Sequence, residues 1–175
     1  DLSQGRIVRV EARPQAGFNY PYYLFIPPKC DDGGEIRLLV EPNNSGTADD
    51  DLSLHQSRAE NLAASGYANH LARELGTPLL VPVFPRSRTQ WRIYTHALDR
   101  DTILIDKGRL KRIDLQLIAM IKSAQELLRL NGIAVASQVF MNGFSASGSF
   151  VNRFAALHPK MVKAVAAGGI CGLPI

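Results

Sequence analysis

Cysteine is nearly absent. Cys30 and Cys171 are the only two among 175 residues. They lie far apart and at no metal-ligand spacing, so they read as separate small apolar fillers, and they fix no redox compartment. No apolar run approaches the roughly 20 residues that a membrane-spanning helix needs. Acidic residues stop early: Glu126 is the last Asp or Glu, and His158 is the only histidine after His96. Tryptophan occurs once, as Trp91. Internal repeats and low-complexity tracts are also missing. With 46% apolar and 21% charged residues, what remains is the composition of one ordinary globular domain with a sizeable core.

The net charge of +4 is modest. Arg86, Arg88, Arg92 and Arg100 gather in one segment, but no nucleic-acid motif surrounds them. They read as a solvated loop or as arginines near a substrate entrance, and nucleic acid is not an expected partner. The acidic run Asp49-Asp50-Asp51 reads as solvated, since a calcium loop requires more ligands at defined steps. No metal and no cofactor enter this reading.

Along the chain the elements alternate as in an α/β sheet. Residues 7–10 and 20–26 predict two strands, separated by Pro14 and Gly17. Pro27-Pro28 ends the second, and Asp31-Asp32-Gly33-Gly34 is a turn. Residues 36–40 form a short apolar run suited to a buried strand. A polar stretch then leads into a helix over 59–75 with Ala64, Ala68, Leu71 and Leu75 on one face, closed by Gly76. A strand is expected over 77–84, where Pro82 and Pro85 limit pairing. An irregular loop rich in aromatic and basic residues follows over 86–109. Asp114 looks like the cap of a helix whose apolar face carries Leu117, Met120, Ile121, Ala124, Leu127 and Leu128, and Asn131-Gly132 stops it. A last strand is expected over 162–167.

Between the last two of these units, residues 138–158 read as strand, sharp turn and helix, with Ser145 at the turn. A serine forced onto such a corner, with small residues two positions either side, becomes an exposed nucleophile. Gly143 and Ser147 are those neighbours, and Gly148 comes next. The usual pattern has glycine at both places, so Ser147 is a mild departure. The following helix aims its free N–H groups at the site, and the amide of Ala146 is one donor to a developing negative charge. Two blander readings compete. Ser145 would serve merely as a helix cap, or Gly143, Ser145 and Gly148 would imitate a dinucleotide-binding fingerprint. The second reading needs an acidic residue about 20 positions on, and none exists.

This order of elements resembles the first two-thirds of an α/β-hydrolase. The stretch from Val139 to Ala167 carries most of the likeness: apolar strand, Gly-x-Ser-x-small, a helix ending in Ala155-Ala156-Leu157-His158-Pro159, then Val162-Lys163-Ala164-Val165. Within that superfamily the chain looks most like serine esterases of the polyhydroxyalkanoate-depolymerase and feruloyl-esterase type. The resemblance implies a mostly parallel sheet with antiparallel N-terminal strands and helices on both faces. It also implies a second oxyanion donor from the loop after the third strand, here Val40-Glu41-Pro42-Asn43-Asn44-Ser45-Gly46. Many relatives have His-Gly where this chain has Pro42-Asn43. The amide of Asn44 is the expected donor, with Asn43 one residue away as the substitute; a plain polar turn is the competing reading.

The triad order implied is Ser, then an acid, then His, and no acid follows Ser145. His158 lies thirteen positions beyond Ser145, about 19 Å along a helix, too far to take its proton. His55, His70 and His96 precede Ser145, in the wrong order. Residues 1–175 are therefore expected to form a single hydrolase-like domain, incomplete after the strand that follows the nucleophile helix. The acid and the base are expected beyond Ile175 or on another chain. The expected chemistry is hydrolysis of a small or polymeric carboxylic ester through an acyl-enzyme on Ser145, with Trp91, Arg92 and Tyr94 contacting substrate. The alternatives are a non-catalytic binding scaffold, or a peptidase or acyltransferase of the same fold.

Overall fold

The structure, a computed structural model, describes residues 5–30 and 36–170. The turn expected at Asp31 to Gly34 and residue Cys171 lie outside that range. Six strands form one sheet in the order β1-β2-β4-β3-β5-β6. They are β1 (Arg6–Val10), β2 (Tyr22–Ile26), β3 (Leu39–Val40), β4 (Leu79–Pro82), β5 (Val139–Phe144) and β6 (Val162–Gly168). β1 pairs antiparallel with β2, and β2 antiparallel with β4. From β4 through β3 and β5 to β6 all pairing is parallel.

Each face of the sheet carries its own core, because strand side chains alternate. Tyr22, Leu24, Val40, Leu80, Val139 and Met141 face α4 (Ile113–Leu130) and α5 (Ala146–Leu157). Tyr23, Phe25, Leu39, Leu79 and Val81 face α1 (Leu52–Ala64) and α2 (Tyr67–Glu74). In α4 the buried set Leu117, Met120, Ile121, Ala124 and Leu128 follows the expected stripe, with Leu127 half-buried beside it. Asn131 caps that helix and Gly132 continues with φ 80°, a conformation open to glycine at no steric cost.

Three elements differ from expectation. The helix expected over 59–75 is two helices. Asp51 starts α1 by accepting a hydrogen bond from Ser53 N–H at 2.9 Å, and Ser65-Gly66 breaks the path. At Gly66 a Cβ would lie 2.9 Å from Leu62 Cα, so the chain turns back tightly on itself there. The break resets the helical phase. Ala59, Ala63, Ala68 and Ala72 are buried, and Leu75, expected inside, is 49% exposed. Asp114 is not a cap. Arg112, left-handed at φ 47°, takes that position, and Asp114 sits buried in the first turn, bonded to Arg112 and to His158. The loop over 86–109 is partly core. It contains a 3-10 turn at Thr95–Ala97 and α3 (Arg100–Ile103), and Thr95, His96, Ala97 and Leu98 are all buried.

The acidic run is also more than a solvated patch. Asp50 takes hydrogen bonds from Ser87 Oγ and from the amides of Arg88 and Thr89. These bonds pin the start of the long loop to the segment before α1.

Phe150 is fully buried in α5, stacked on Phe84 at 6.1 Å between ring centroids and on Phe154 at 6.3 Å. Replacing a buried phenylalanine by alanine removes transfer energy and leaves a cavity, at about 3–5 kcal/mol. Phe150→Ala is therefore expected to lower the free energy of chemical unfolding by that amount. A loss under 1 kcal/mol would contradict this packing.

Candidate active site

β5 passes into α5 through a single residue, Ser145, with φ 59° and ψ −118°. Few non-glycine residues occupy this region, and holding one there costs on the order of 1–3 kcal/mol. Three contacts hold it. Ser145 N–H donates to Gly168 O at 2.9 Å, across to the end of β6. Ser149 N–H donates to Ser145 O at 3.0 Å, which starts the helix. The backbone on either side then closes up. A Cβ on Gly143 would lie 2.4 Å from Ser147 O, and one on Gly148 would lie 2.4 Å from Gly168 O. Glycine is obligatory at both places.

Position 147, by contrast, has room for a side chain turned inward. Ser147 is buried, and its Oγ accepts from Phe144 N–H at 3.0 Å while lying 3.0 Å from Phe144 O. The departure from glycine therefore adds a side-chain clasp across the corner. Ser145 itself is exposed, and its hydroxyl takes no hydrogen bond among the described residues. Ala146, the first residue of α5, has an N–H that no intrahelical carbonyl can satisfy.

Asn44 lies against the corner. Its Nδ2 donates to Phe144 O at 3.4 Å, and its Oδ1 accepts from Gly46 N–H at 3.2 Å. Its backbone N–H donates to no carbonyl among the described residues. Asn43 is used differently. Its buried side chain pairs both ways with the backbone of Phe84, donating at 2.8 Å and accepting at 3.0 Å. That pairing fixes the loop leaving β3 to the loop leaving β4.

No histidine is hydrogen-bonded to Ser145. His55 and His96 are buried side by side, ring centroids 5.3 Å apart. His96 is held neutral, since burial pushes its pKa down to about 3. The Nδ1 atoms of both rings lack partners among the described residues. His70 is exposed on α2. His158 Nε2 lies 2.9 Å from Asp114 Oδ2, so an acid–histidine pair exists, but at the far end of α5. Burial works to raise the Asp114 pKa, but hydrogen bonds from Arg112 and His158 overcome it and the net shift is downward.

Trp91 is 70% exposed, with the Arg92 guanidinium 5.4 Å from its ring centre. Tyr94 carries Arg86 at 3.9 Å in the same manner. No hydrogen bond or ring contact joins Trp91, Arg92 or Tyr94 to Ser145, Ala146 or Asn44 among the described residues. Two open cavities flank the corner on the α1–α2 side. One, lined by Asn44, Arg58, Tyr67 and Phe144, encloses about 270 Å³. The other lies between Tyr67, Leu71, Phe144 and Gly168. Neither is lined by Ser145 or by the aromatic loop.

Sequence reasoning missed Glu41. It follows β3 directly and is completely buried beneath the corner. Oε1 accepts from Tyr67 Oη and lies 3.4 Å from Ser147 Oγ, while Oε2 accepts from Asn142 Nδ2 at 2.7 Å. Burial raises the carboxyl pKa to about 7, with the hydrogen bonds opposing. The signal in the sequence is an acid closing the apolar run Leu38-Leu39-Val40, where a buried strand ordinarily ends in a neutral residue.

No protein-family profile matches the chain. No curated protein matches it in sequence either. Solved structures do match. Poly(aspartic acid) hydrolase-1 from Sphingomonas sp. KT-1 superposes with a TM-score of 0.56 at 16% identity, over 93% of this chain and 55% of that one. An S-formylglutathione hydrolase from Agrobacterium tumefaciens gives 0.59 at 15% identity, over 93% and 57%. A ferulic acid esterase gives 0.56 at 13% identity, over 94% and 57%. The chain has the α/β-hydrolase fold. It spans about half the length of these solved structures. Among the described residues no helix is long and apolar enough to cross a membrane.

The raised Glu41 pKa links stability to pH. In the unfolded chain the carboxyl ionises near its ordinary value of 4.5, and in the folded protein near 7. Between those values the folded state binds more protons, so stability falls as pH rises. A shift of this size corresponds to about 3 kcal/mol, lost by pH 8. Glu41→Gln is expected to remove this fall. Parallel unfolding curves of the two proteins at pH 5 and pH 8, differing by a constant, would refute the assignment.

Proposed function

We propose that the protein is a serine hydrolase acting on carboxylic esters. The observation that carries this reading is the backbone of Ser145. The protein holds an exposed serine at φ 59° between a strand and a helix N-terminus, a geometry that costs energy and that supports reading it as a nucleophile elbow. Ser145 Oγ attacks the ester carbonyl carbon and gives its proton to a histidine base. The amides of Ala146 and Asn44 receive the oxyanion. As the tetrahedral intermediate collapses, the carbon–oxygen bond to the leaving alcohol breaks, and the base returns the proton to that alcohol. Water then releases the acid from the acyl-enzyme.

Within residues 1–175 each described histidine is engaged elsewhere or remote, so the base and its acid come from polypeptide beyond Ile175 or from another chain. Residues 1–175 are then one hydrolase-like domain completed by that portion. The loop that follows β4 leaves the carboxyl end of the sheet, where ligands of such folds bind. Trp91, Arg92 and Tyr94 on it are assigned to the acyl or leaving group of a small or polymeric ester. Among the solved neighbours, one is named as a ferulic acid esterase, which supports an ester substrate, and another as a poly(aspartic acid) hydrolase, whose polymer is linked by amides.

The test uses the complete encoded protein, a fluorophosphonate probe, and p-nitrophenyl esters of short acids. Covalent labelling is expected on the peptide carrying Ser145, with ester turnover. Ser145→Ala is expected to abolish labelling and lower kcat by up to about a millionfold. Folded protein that neither labels nor turns over these esters would favour a binding scaffold instead.

A further inference from the structure

Glu41 has no part in the chemistry just described, yet it ties the corner to everything around it. Its two oxygens reach α2 through Tyr67, β5 through Asn142 and the first turn of α5 through Ser147. It stands three residues before Asn44 in the loop leaving β3. Ser147 Oγ is the pivot. It accepts from Phe144 N–H at 3.0 Å, and its own hydrogen can go to Phe144 O at 3.0 Å or to Glu41 Oε1 at 3.4 Å. Phe144 O belongs to the peptide that leads directly into Ser145, and Asn44 Nδ2 donates to the same oxygen.

We propose that Glu41 is a positioning residue for Ser145: its protonation state selects the acceptor of the Ser147 hydroxyl, and through it the hold on the Phe144–Ser145 peptide.

The two states follow from counting donors and lone pairs. With Glu41 ionised, Oε1 accepts from Tyr67 and from Ser147. Phe144 O is then left to Asn44 alone. With Glu41 protonated, its new O–H donates to Ser147 Oγ. The Ser147 hydrogen turns to Phe144 O, where it joins the Asn44 side chain. Every buried polar atom is satisfied in both states, so the change is a reorientation of hydroxyls and leaves the packing in place.

Few other charges face the carboxyl. Tyr67 is the titratable group against it, and its pKa is raised by burial and then by the Glu41 charge, so it stays a donor. Asn142 and Ser147 do not titrate. Arg58 of α1 lines the cleft beyond Tyr67 and forms no ion pair among the described residues. Burial therefore dominates, and it raises the carboxyl pKa to about 7.

This inference rests on Ser145 being the nucleophile only for its catalytic consequence. The coupling itself is read from the Phe144 and Ser145 backbone amides by 15N–1H NMR of the protein between pH 5 and pH 9. Both amides are hydrogen-bonded, to Ser147 Oγ and to Gly168 O respectively. Their resonances are expected to move together with a midpoint near 7, to stay still in Glu41→Gln, and to lose most of their excursion in Ser147→Ala. Amides that do not titrate in the wild type, or that titrate unchanged in Glu41→Gln, overturn the proposal.

In the complete protein the ratio of wild-type to Glu41→Gln fluorophosphonate labelling rates at Ser145 is expected to change several-fold between pH 6 and pH 8, with probe affinity unchanged. A constant ratio overturns the link to the nucleophile. Titrating amides without labelling in either protein would bring down the esterase reading and leave the coupling standing.

Discussion

A close approach of backbone to backbone organises the rest. Where β5 gives way to α5, the peptides around Gly143 and Ser147 lie so near that no β-carbon fits between them, and Gly148 meets Gly168 O in the same way. This contact exists only if β6 pairs parallel to β5 to its last residue, since Gly168 O is also the acceptor for Ser145 N–H. It in turn sets the direction of α5. The helix then lays Phe150, Val151 and Phe154 on the sheet face shared with α4. A strained serine, a sheet edge and half of the hydrophobic core are thus one structural decision. Over-determined surroundings of this kind are what allow an unfavourable φ to persist.

Beneath that contact the protein keeps a carboxyl group in a fully dry place. An apolar side chain of similar volume in place of Glu41 would avoid its desolvation. The carboxyl instead joins four elements, since Asn142 and Tyr67 donate to it and Ser147 Oγ lies against it, from a strand and two helices, while it hangs from the end of β3. Hydrogen bonds are directional where apolar packing is not, so this network sets the relation between the loop holding Asn44 and the corner holding Ser145. The other buried polar cluster, Asn43 with Phe84 and His96, fixes the next loop along. Around the corner, loops are registered by polar atoms and strands by apolar ones.

Much of this was legible in the residues. Gly143, Ser145, Ser147 and Gly148 follow an apolar strand and precede an apolar helical stripe, and that local pattern marks a strand-to-helix corner wherever it occurs. The stripe in α4 was equally open to reading, because one periodicity runs through it without interruption. The helix before β4 was misread because Ser65-Gly66 interrupts it, and a phase break moves every later residue to another face. Asp114 was misread because an acid before an amphipathic run looks like a cap. What makes it something else is His158, 44 positions away in sequence. The buried part of the 86–109 loop escaped notice because Thr95 and His96 are polar residues that become buried by bonding the carbonyls of Pro85 and Phe84, at the root of the same loop.

Local sequence therefore determined the alternation of strands and helices, the apolar stripe of α4 and the place where a serine stands at a strand-to-helix corner. These depend on periodicity and on the steric demands of neighbouring residues, which the chain carries in any context. Tertiary structure alone decided that Glu41 lies under that corner, that Asn44 touches the Phe144 carbonyl, and that His158 pairs with Asp114. Those are pairings between distant residues. Their energies come from shared exclusion of water, which no segment possesses until the sheet has closed around it.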